Sequence, residues 1–250
     1  MSPNPSPQLA SPRPGQPVVA AFDFDGTLAH GGSVWQFLVA MTGRVKATAA
    51  GLREAPRILV AAIKGGSAND KAKEALFVRV LGGRDARDIQ KLARAFGLAH
   101  FDKRVRPDVY ERMRAHIDRG DRIVIVSASP ELYLAPVAEK VGASGLVGTR
   151  LEASNGKLTG HYDGLNCRGP EKWRRLDQWI TASEGDSETR PFVWAYGNSA
   201  GDRDMLRNAD VGVDVGRLGR FGKLKDFAQF RDLPPLDQPG TDAAPTTVPL

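Results

Sequence analysis

The sequence predicts an α/β protein: a parallel β-sheet core with helices on both faces, interrupted once by an all-helical insert. Three observations predict it. Apolar runs of strand length alternate with helix-length segments on both sides of residues 34–100. Between residues 34 and 100 the alternation stops and almost only helical spacing remains. The polar groups suited to chemistry fall just past the ends of the apolar runs, where an open parallel sheet exposes its ligand sites; one lysine, on a helix, is the exception.

Taken in order, residues 1–16 carry Pro3, Pro5, Pro7, Pro12 and Pro14 with almost no apolar content. Residues 231–250 carry Pro234, Pro235, Pro239, Pro245 and Pro249. Both are expected to be disordered tails, because neither can bury enough surface to offset the entropy of ordering. Val18 to Phe24 is an apolar run closed by Asp25-Gly26, the pattern of a buried strand with a turn behind it. The insert holds four helical stretches: around Trp35, Phe37, Leu38 and Met41, then Leu52 to Ile63, Ala72 to Leu81, and Ile89 to Phe96. Gly43, Gly65-Gly66 and Gly82-Gly83 punctuate them as helix stops, and Asp70 can cap the third. Alternation resumes with a helix from Asp108 to Arg119, a strand from Arg122 to Val126, a helix from Glu131 to Val141 and a strand from Gly145 to Thr149. Asn155-Gly156 marks a hairpin turn. A helix from Pro170 to Ile180, a strand from Phe192 to Tyr196, a helix from Asp202 to Asn208 and a strand from Val211 to Val215 follow. The core is therefore expected over residues 17–32 and 101–230, with residues 33–100 forming a helical cap.

The composition, 41% hydrophobic and 26% charged over 250 residues, is that of a globular chain able to bury a core without covalent staples. The single cysteine, Cys167, allows no intramolecular disulfide and suits a reducing compartment, so a cytoplasmic location is expected. The start of the chain has neither the basic end nor the apolar stretch of a signal peptide, and no apolar run is long enough to span a bilayer. The net charge of +6 is scattered in short clusters such as Arg104 with Arg106, Arg174 with Arg175, and Arg217 to Lys225, which read as solvated surface. No basic stripe interleaved with aromatics is present, so no nucleic-acid partner is expected. The charge does suit a phosphorylated substrate. Nothing in the sequence sets the oligomeric state.

Four motifs carry chemistry. Phe22-Asp23-Phe24-Asp25-Gly26-Thr27 places two acids one residue apart at the end of a buried strand, where both would be costly as mere structure. A bound Mg²⁺ removes that cost, since it takes hard carboxylate oxygens. Asp23 is the candidate nucleophile toward phosphorus. Asp25 is the candidate acid that protonates the leaving oxygen and then the base that activates water. Ser127 and Ala128 follow the strand from Arg122, where a hydroxyl and exposed amides make a phosphate cradle; Ser127 serves equally as a helix cap. Lys172, near a helix start, can reach inward as a point charge toward phosphate or lie on the surface. In Tyr196-Gly197-Asn198-Ser199-Ala200-Gly201-Asp202 two metal-type oxygen donors, Asn198 and Asp202, stand four residues apart.

Together these motifs resemble the haloacid dehalogenase-like hydrolase superfamily over roughly residues 18 to 225, with Asp23-Phe24-Asp25-Gly26-Thr27 the most specific part. The helical insert looks like the C1-type cap of the phosphoserine phosphatase-like branch, subfamily IB. Val126-Ser127-Ala128-Ser129-Pro130-Glu131-Leu132-Tyr133 and Asn166-Cys167-Arg168-Gly169-Pro170-Glu171-Lys172 are similar to that branch's group that includes bacterial phosphatidylglycerophosphatase C-type proteins. The resemblance implies a Rossmann-like core, a Mg²⁺ cofactor, Ser127 and Lys172 on phosphate, and a metal held by Asp23, Asn198, Asp202 and the backbone carbonyl of Asp25. Two positions depart from the family pattern. Asn198 stands where an Asp is usual, which removes one negative charge from the metal site. The segment Ala29-His30-Gly31-Gly32-Ser33 lacks the acid that holds the amine of phosphoserine, which argues against that substrate.

The first reading is thus a Mg²⁺-dependent phosphomonoester hydrolase that passes through an aspartyl-phosphate and acts on a small phosphorylated metabolite. A second is a lipid-phosphate phosphatase at a membrane surface, for which Val215 to Phe227, with Arg217, Arg220, Lys223 and Lys225 among Leu218, Phe221, Leu224 and Phe227, offers peripheral contact. A third is a phosphate-binding regulator without turnover, favoured only by Asn198. In the cap, Lys64, Lys71 and Lys73 are candidates for the distal part of a substrate but read as plain surface charge. His30 and His161 read as ordinary polar residues, and no His/Cys cluster suggests zinc. The loops near Gly31-Gly32 and Gly65-Gly66 are candidate hinges.

Overall fold

The computed structural model describes residues 9–64, 66–184, 189–216 and 224–236. The strands of the core are β1 (Val18–Phe22), β2 (Arg122–Pro130), β3 (Gly145–Thr149), β6 (Phe192–Gly197), β7 (Val211–Asp214) and β8 (Ala228–Gln229). They form one sheet in the order β3-β2-β1-β6-β7-β8, and every pairing is parallel. β1 is central because all five of its side chains are buried, which only a strand covered on both faces tolerates. Its alternate residues face opposite layers. Ala20 and Phe22 join Ile123, Ile125, Trp194 and Tyr196 on one face; Val19 and Ala21 join Val124, Val126, Val193 and Ala195 on the other. Helices α5 (Pro107–Asp118) and α6 (Glu131–Val141) contribute to the first layer, while α7 (Pro170–Glu184) and α8 (Arg203–Asn208) contribute to the second. Phe22 pairs with Ile125 on one side and Tyr196 on the other. The residues that follow these strands therefore converge at one edge of the sheet.

The insert is helical throughout: α1 (Val34–Thr42), α2 (Arg44–Lys64), α3 (Gly66–Leu81) and α4 (Ala86–Arg104). Asp85 caps α4 by accepting from the amides of Arg87 and Asp88. α4 rests on α6 at Gly97, where a Cβ atom would stand 2.0 Å from the carbonyl oxygen of Tyr133. A small antiparallel hairpin, β4 (Leu151–Ser154) and β5 (Lys157–Tyr162), turns at Asn155 and Gly156, both at positive φ as a tight two-residue turn requires.

Several expectations are corrected. α4 continues to Arg104, past the expected boundary at residue 100; helical backbone ends at Val105 (ψ 138°), and Pro107 keeps the following Arg106 extended as well. Asp70 lies inside α3, which starts at Gly66, so it caps nothing. β2 runs on to Pro130 with a register irregularity after Val126, so Ser127 and Ala128 sit within an irregular strand end. Residues 9–16 and 231–236 are placed against the core. Leu9, Leu233 and Leu236 pack on it, Gln16 Nε2 donates to Arg190 O (2.9 Å), and Arg112 Nη1 donates to Pro234 O (2.6 Å). A few apolar side chains and free carbonyl acceptors hold these proline-rich stretches, despite their low apolar content. Arg106 is buried rather than surface charge, with Nη1 donating to Gly26 O (3.1 Å) and Val215 O (2.7 Å). Residues 1–8 and 237–250 of the two expected tails, Gly65 of the expected hinge, and Arg217 to Lys223 of the expected surface segment lie outside the described residues. Of that segment's remainder, Leu224 is buried and Phe227 packs against the core.

His116 is fully buried among Phe22, Trp194 and Tyr196. Its Nδ1 meets Asp121 Oδ2 at 2.6 Å and its Nε2 meets the Tyr196 hydroxyl at 2.8 Å. A neutral ring that donates to Asp121 and accepts from Tyr196 satisfies both contacts. Burial pushes the His116 pKa down, against the pull of Asp121. The unfolded chain therefore binds a proton near pH 6.5 that the folded chain does not. Stability is full above that value and falls as pH drops through it, with a limiting slope of about 1.4 kcal/mol per pH unit from this group. Melting temperatures between pH 8 and about 5 should decline less steeply for His116→Gln than for the parent. Gly97→Ala, which drives a methyl group into the Tyr133 carbonyl, should cost about 2 kcal/mol in urea unfolding, since backbone atoms have no rotamer into which to relax.

Candidate active site

The geometry starts at the end of β1. Asp23 Oδ1 accepts from Lys172 Nζ at 2.6 Å, and its Oδ2 accepts from the Thr27 hydroxyl at 3.0 Å. Lys172, on the first turn of α7, donates also to Asp202 Oδ1 at 2.5 Å. All three side chains are buried. Asp202 caps the loop that leads to α8: its Oδ2 accepts from the Ser199 hydroxyl (2.8 Å), the Ser199 amide (2.9 Å) and the Asn198 amide (3.2 Å). Lys172 is thus a bridge between two carboxylates, and the alternative of a surface lysine is excluded.

Asp25 lies in a different environment. Ser33 donates to it twice, from its amide to Oδ1 (2.8 Å) and from its hydroxyl to Oδ2 (3.0 Å), and Ser129 donates its hydroxyl to Oδ2 (2.5 Å). The Ser33 hydroxyl also shares a hydrogen bond of 2.7 Å with the buried Tyr133 hydroxyl. Among the described residues Ser127 makes no hydrogen bond to Asp23. Its hydroxyl accepts from the Ser129 amide (3.1 Å), so it shapes the turn that brings Ser129 to Asp25. Ala128 offers its carbonyl to the Thr149 hydroxyl (2.7 Å) and to Lys73 Nζ (2.8 Å).

Lys73 enters from the cap, contrary to its reading as surface charge. It is half-buried, and its second hydrogen bond is to Asn166 Oδ1 (2.6 Å), whose Nδ2 donates to Asp70 (2.5 Å). Burial pushes the Lys73 ammonium down to about 8, against the pull of Asp70 and Asp25. Of its companions, Lys71 is exposed beside a cap cleft with Glu74 and His161, and the Lys64 side chain lies outside the described residues. From the sequence, Lys73 is a candidate substrate contact but reads as surface charge, Tyr133 and Asn166 stand only within family-like stretches, Asp70 reads as a helix cap, and Ser33 has no role. A serine directly before a helical run reads as an N-cap, yet Ser33 makes no side-chain cap bond to α1 and turns to Asp25 instead.

The charges are unbalanced. Two buried carboxylates share one ammonium group, with Asp25 close by. Burial, then the negative charge of Asp202, pushes Asp23 up to about 7 in spite of Lys172. Burial would depress Lys172, but Asp202 and Asp23 outweigh it and hold its pKa above the usual lysine value. Asp202 stays below the usual carboxylate range because Lys172 and Ser199 outweigh its own desolvation. Such a group gains from a further cation. The donor set fits Mg²⁺. Asn198 Oδ1 is buried and has no hydrogen-bond partner among the described residues, an orphaned hard oxygen. Its amide packs on Gly26, where a Cβ atom would stand 1.9 Å from Asn198 Nδ2; the positive φ of Gly26 (83°) completes the close turn. Two carboxylates supplemented by neutral oxygens match an ion that tolerates few protein carboxylates.

Comparison with known proteins gives the chain its family. The haloacid dehalogenase-like hydrolase family matches residues 20–207. Protein CicA of Caulobacter vibrioides is 36% identical over 196 residues, which is 78% of this chain and 84% of that protein. A phosphoserine phosphatase of Halobacterium salinarum is 29% identical over 202 residues, 79% of this chain and 85% of that one. The crystal structure of a protein of unknown function from Bordetella pertussis shares the fold, with a TM-score of 0.71 at 21% identity, covering 86% of this chain and 98% of that one. The chain belongs to the haloacid dehalogenase-like hydrolase family. Within it the protein is a phosphatase, and its matched relatives include phosphoserine phosphatases.

Lys172→Met should leave two buried carboxylates without their partner. Chemical unfolding is expected to show a loss of about 3 kcal/mol at neutral pH, with less lost at acid pH, where the carboxylates are neutralised by protons.

Proposed function

We propose that the protein is a Mg²⁺-dependent phosphomonoesterase acting on a small phosphorylated metabolite, with Asp23 as nucleophile and Asp25 as general acid and base. The observation that carries this reading is the contrast between the two acids: Asp23 lies on the Lys172 ammonium, whereas Asp25 lies in a shell of hydroxyls and one amide. Neighbouring carboxylates in unlike surroundings can divide nucleophile and proton-transfer roles between them.

Asp23 attacks phosphorus through one carboxylate oxygen, and the ester P–O bond breaks as Asp25 gives its proton to the leaving oxygen. The Ser33 and Ser129 hydroxyls suit both protonation states of Asp25, since a hydroxyl both donates and accepts. Asp25, now a carboxylate, takes a proton from water, which attacks the aspartyl-phosphate and releases inorganic phosphate and free Asp23. Lys172 and the Ser127–Ala128 segment bind the phosphoryl oxygens. Asp23, Asp202, Asn198 and the Asp25 carbonyl would hold Mg²⁺, which when bound offsets the negative charge between phosphate and nucleophile. The cap, through Lys73 at the Ala128 carbonyl, covers this edge of the sheet and limits access of bulk water. Ser33 already serves Asp25, and the Ala29–Ser33 segment has no acid for a substrate amine, which supports a substrate other than phosphoserine.

Phosphate release from a panel of phosphomonoesters, with and without Mg²⁺, tests the reading. The parent should turn over only with Mg²⁺, Asp23→Asn should show no turnover, and Asp25→Asn should lose about 10²–10⁴-fold in kcat. Turnover retained in Asp23→Asn would exclude the aspartyl-phosphate. A folded parent inert on every ester, yet binding phosphate, would favour a regulator. Asn198→Asp, which adds a negative charge beside Asp23 and Asp202, should lower the Mg²⁺ concentration for half-maximal thermal stabilisation, a readout independent of activity.

A further inference from the structure

The outward face of the cap is apolar and cationic, and no described residue covers it. On α2, Val45, Leu52 and Leu59 are 84%, 70% and 65% exposed. They are seven residues apart, close to two helical turns, so they line one side of the helix. Thr48, Ala49, Ala55 and Pro56 between them are exposed as well, and none is charged. The buried residues of α2, Ala47, Ala50 and Glu54, lie on the opposite side. Trp35 of α1, 45% exposed, widens the stripe: its ring carbons come within 3.3 Å of where Gly51 would carry a Cβ atom, one residue from Leu52.

Charge around the stripe has one sign. From Val34 to Lys64 the chain carries Arg44, Lys46, Arg53, Arg57 and Lys64 against a single acid, Glu54. That acid is 2% exposed and is held by Arg57 and Arg79, so it offers nothing outward. Beside the stripe opens a cleft of about 550 Å³, whose lining includes Lys46, Ala49, Arg53, Arg79 and Arg84 and no acid. Arg79 bonds Glu54 and Arg84 bonds the Met41 carbonyl; Lys46 and Arg53 make no ion pair among the described residues.

We propose that this face of α2, with Trp35, docks the protein on an anionic phospholipid surface, the apolar stripe entering the interface and Lys46 and Arg53 meeting lipid phosphates. An apolar line flanked by basic side chains, with a tryptophan at its border, is the pattern of a helix lying in the plane of a bilayer. Among the described residues no helix is long and apolar enough to cross one. A second copy of the chain is disfavoured as occupant, because it would bring two all-cationic faces together. The proposal concerns where the protein sits and does not rest on the catalytic reading.

The test is co-sedimentation of the full chain with vesicles of phosphatidylcholine alone and of equimolar phosphatidylcholine and phosphatidylglycerol. The expected result is pelleting with the mixed vesicles only, weakened by added salt. The double variant Leu52→Glu/Leu59→Glu should cut the bound fraction about tenfold, and Lys46→Glu/Arg53→Glu should remove the preference for anionic vesicles. These positions are exposed, and circular-dichroism melting checks that each variant is folded. Failure of the parent to pellet with mixed vesicles overturns the proposal, as does unchanged binding by the folded leucine variant. A parent dimer dissolved by the leucine substitutions, without vesicle binding, would assign the face to a second copy instead.

Discussion

One ammonium group, Lys172 Nζ, holds two buried carboxylates that arrive from distant parts of the chain. Asp23 comes from the end of β1, Asp202 from the loop after β6, and Lys172 from the start of α7. Removing Lys172 strands two buried carboxylates, a far larger cost than leaving a surface pair unmade. The neighbouring elements are built to bring them together. β1 and β6 run parallel in register from Val18 with Phe192 to Phe22 with Tyr196, so Asp23 and the Asn198–Asp202 loop leave the sheet at the same level. Arg106 then fixes the turn at Gly26 to the end of β7 through two carbonyl bonds. The site is thus a consequence of strand register reinforced by a small number of buried charges.

The second carboxylate shows how one motif yields two unlike acids. Asp23 and Asp25 are two residues apart, but the first faces the lysine and the second faces the cap and β2. Its partners come from the residue before α1 and from the irregular end of β2. The register slip after Val126 matters here, because a regular ladder would have continued toward β3 without turning Ser129 back to Asp25. Tyr133 buttresses the Ser33 hydroxyl and takes the close approach of α4 at Gly97 on its backbone. The seating of the cap and the environment of Asp25 are therefore mechanically linked.

Much of this was legible in the sequence, for identifiable reasons. Buried parallel strands are continuous apolar runs, so β1, β6 and the start of β2 announce themselves, as do helices with glycine stops and the Asn155-Gly156 turn. Asp23 stood out because two acids at the end of a buried run need an explanation; Lys172 and Asp202 gained weight only from their order after that motif. What escaped was information held in three dimensions. Lys73 and Arg106 are single cations whose burial depends on which carbonyl the fold brings opposite. Ser33 and Asp70 look like helix caps, and only the tertiary position of Asp25 and Asn166 decides otherwise. β8 is two residues long, too short for any periodicity.

The cap reconciles two opposed demands on a helical insert. Its inner side is polar: Asp70 and Lys73 on α3 reach Asn166 and Ala128 on the core. The same helix buries Ala72, Phe77 and Leu81, so its apolar and polar residues do not segregate into two clean faces. A helix wedged between a polar site and an apolar seam has no side left for solvent-facing charge except at Lys71 and Arg79, which border clefts. Among the described side chains of α2 the buried ones are Ala47, Ala50 and Glu54, and an apolar stripe on the opposite side gains nothing from the fold itself. Folding alone would place polar residues at positions 45, 52 and 59, since apolar groups so exposed contribute nothing to the core and favour aggregation. Their presence beside unpaired cations points to a surface outside the chain.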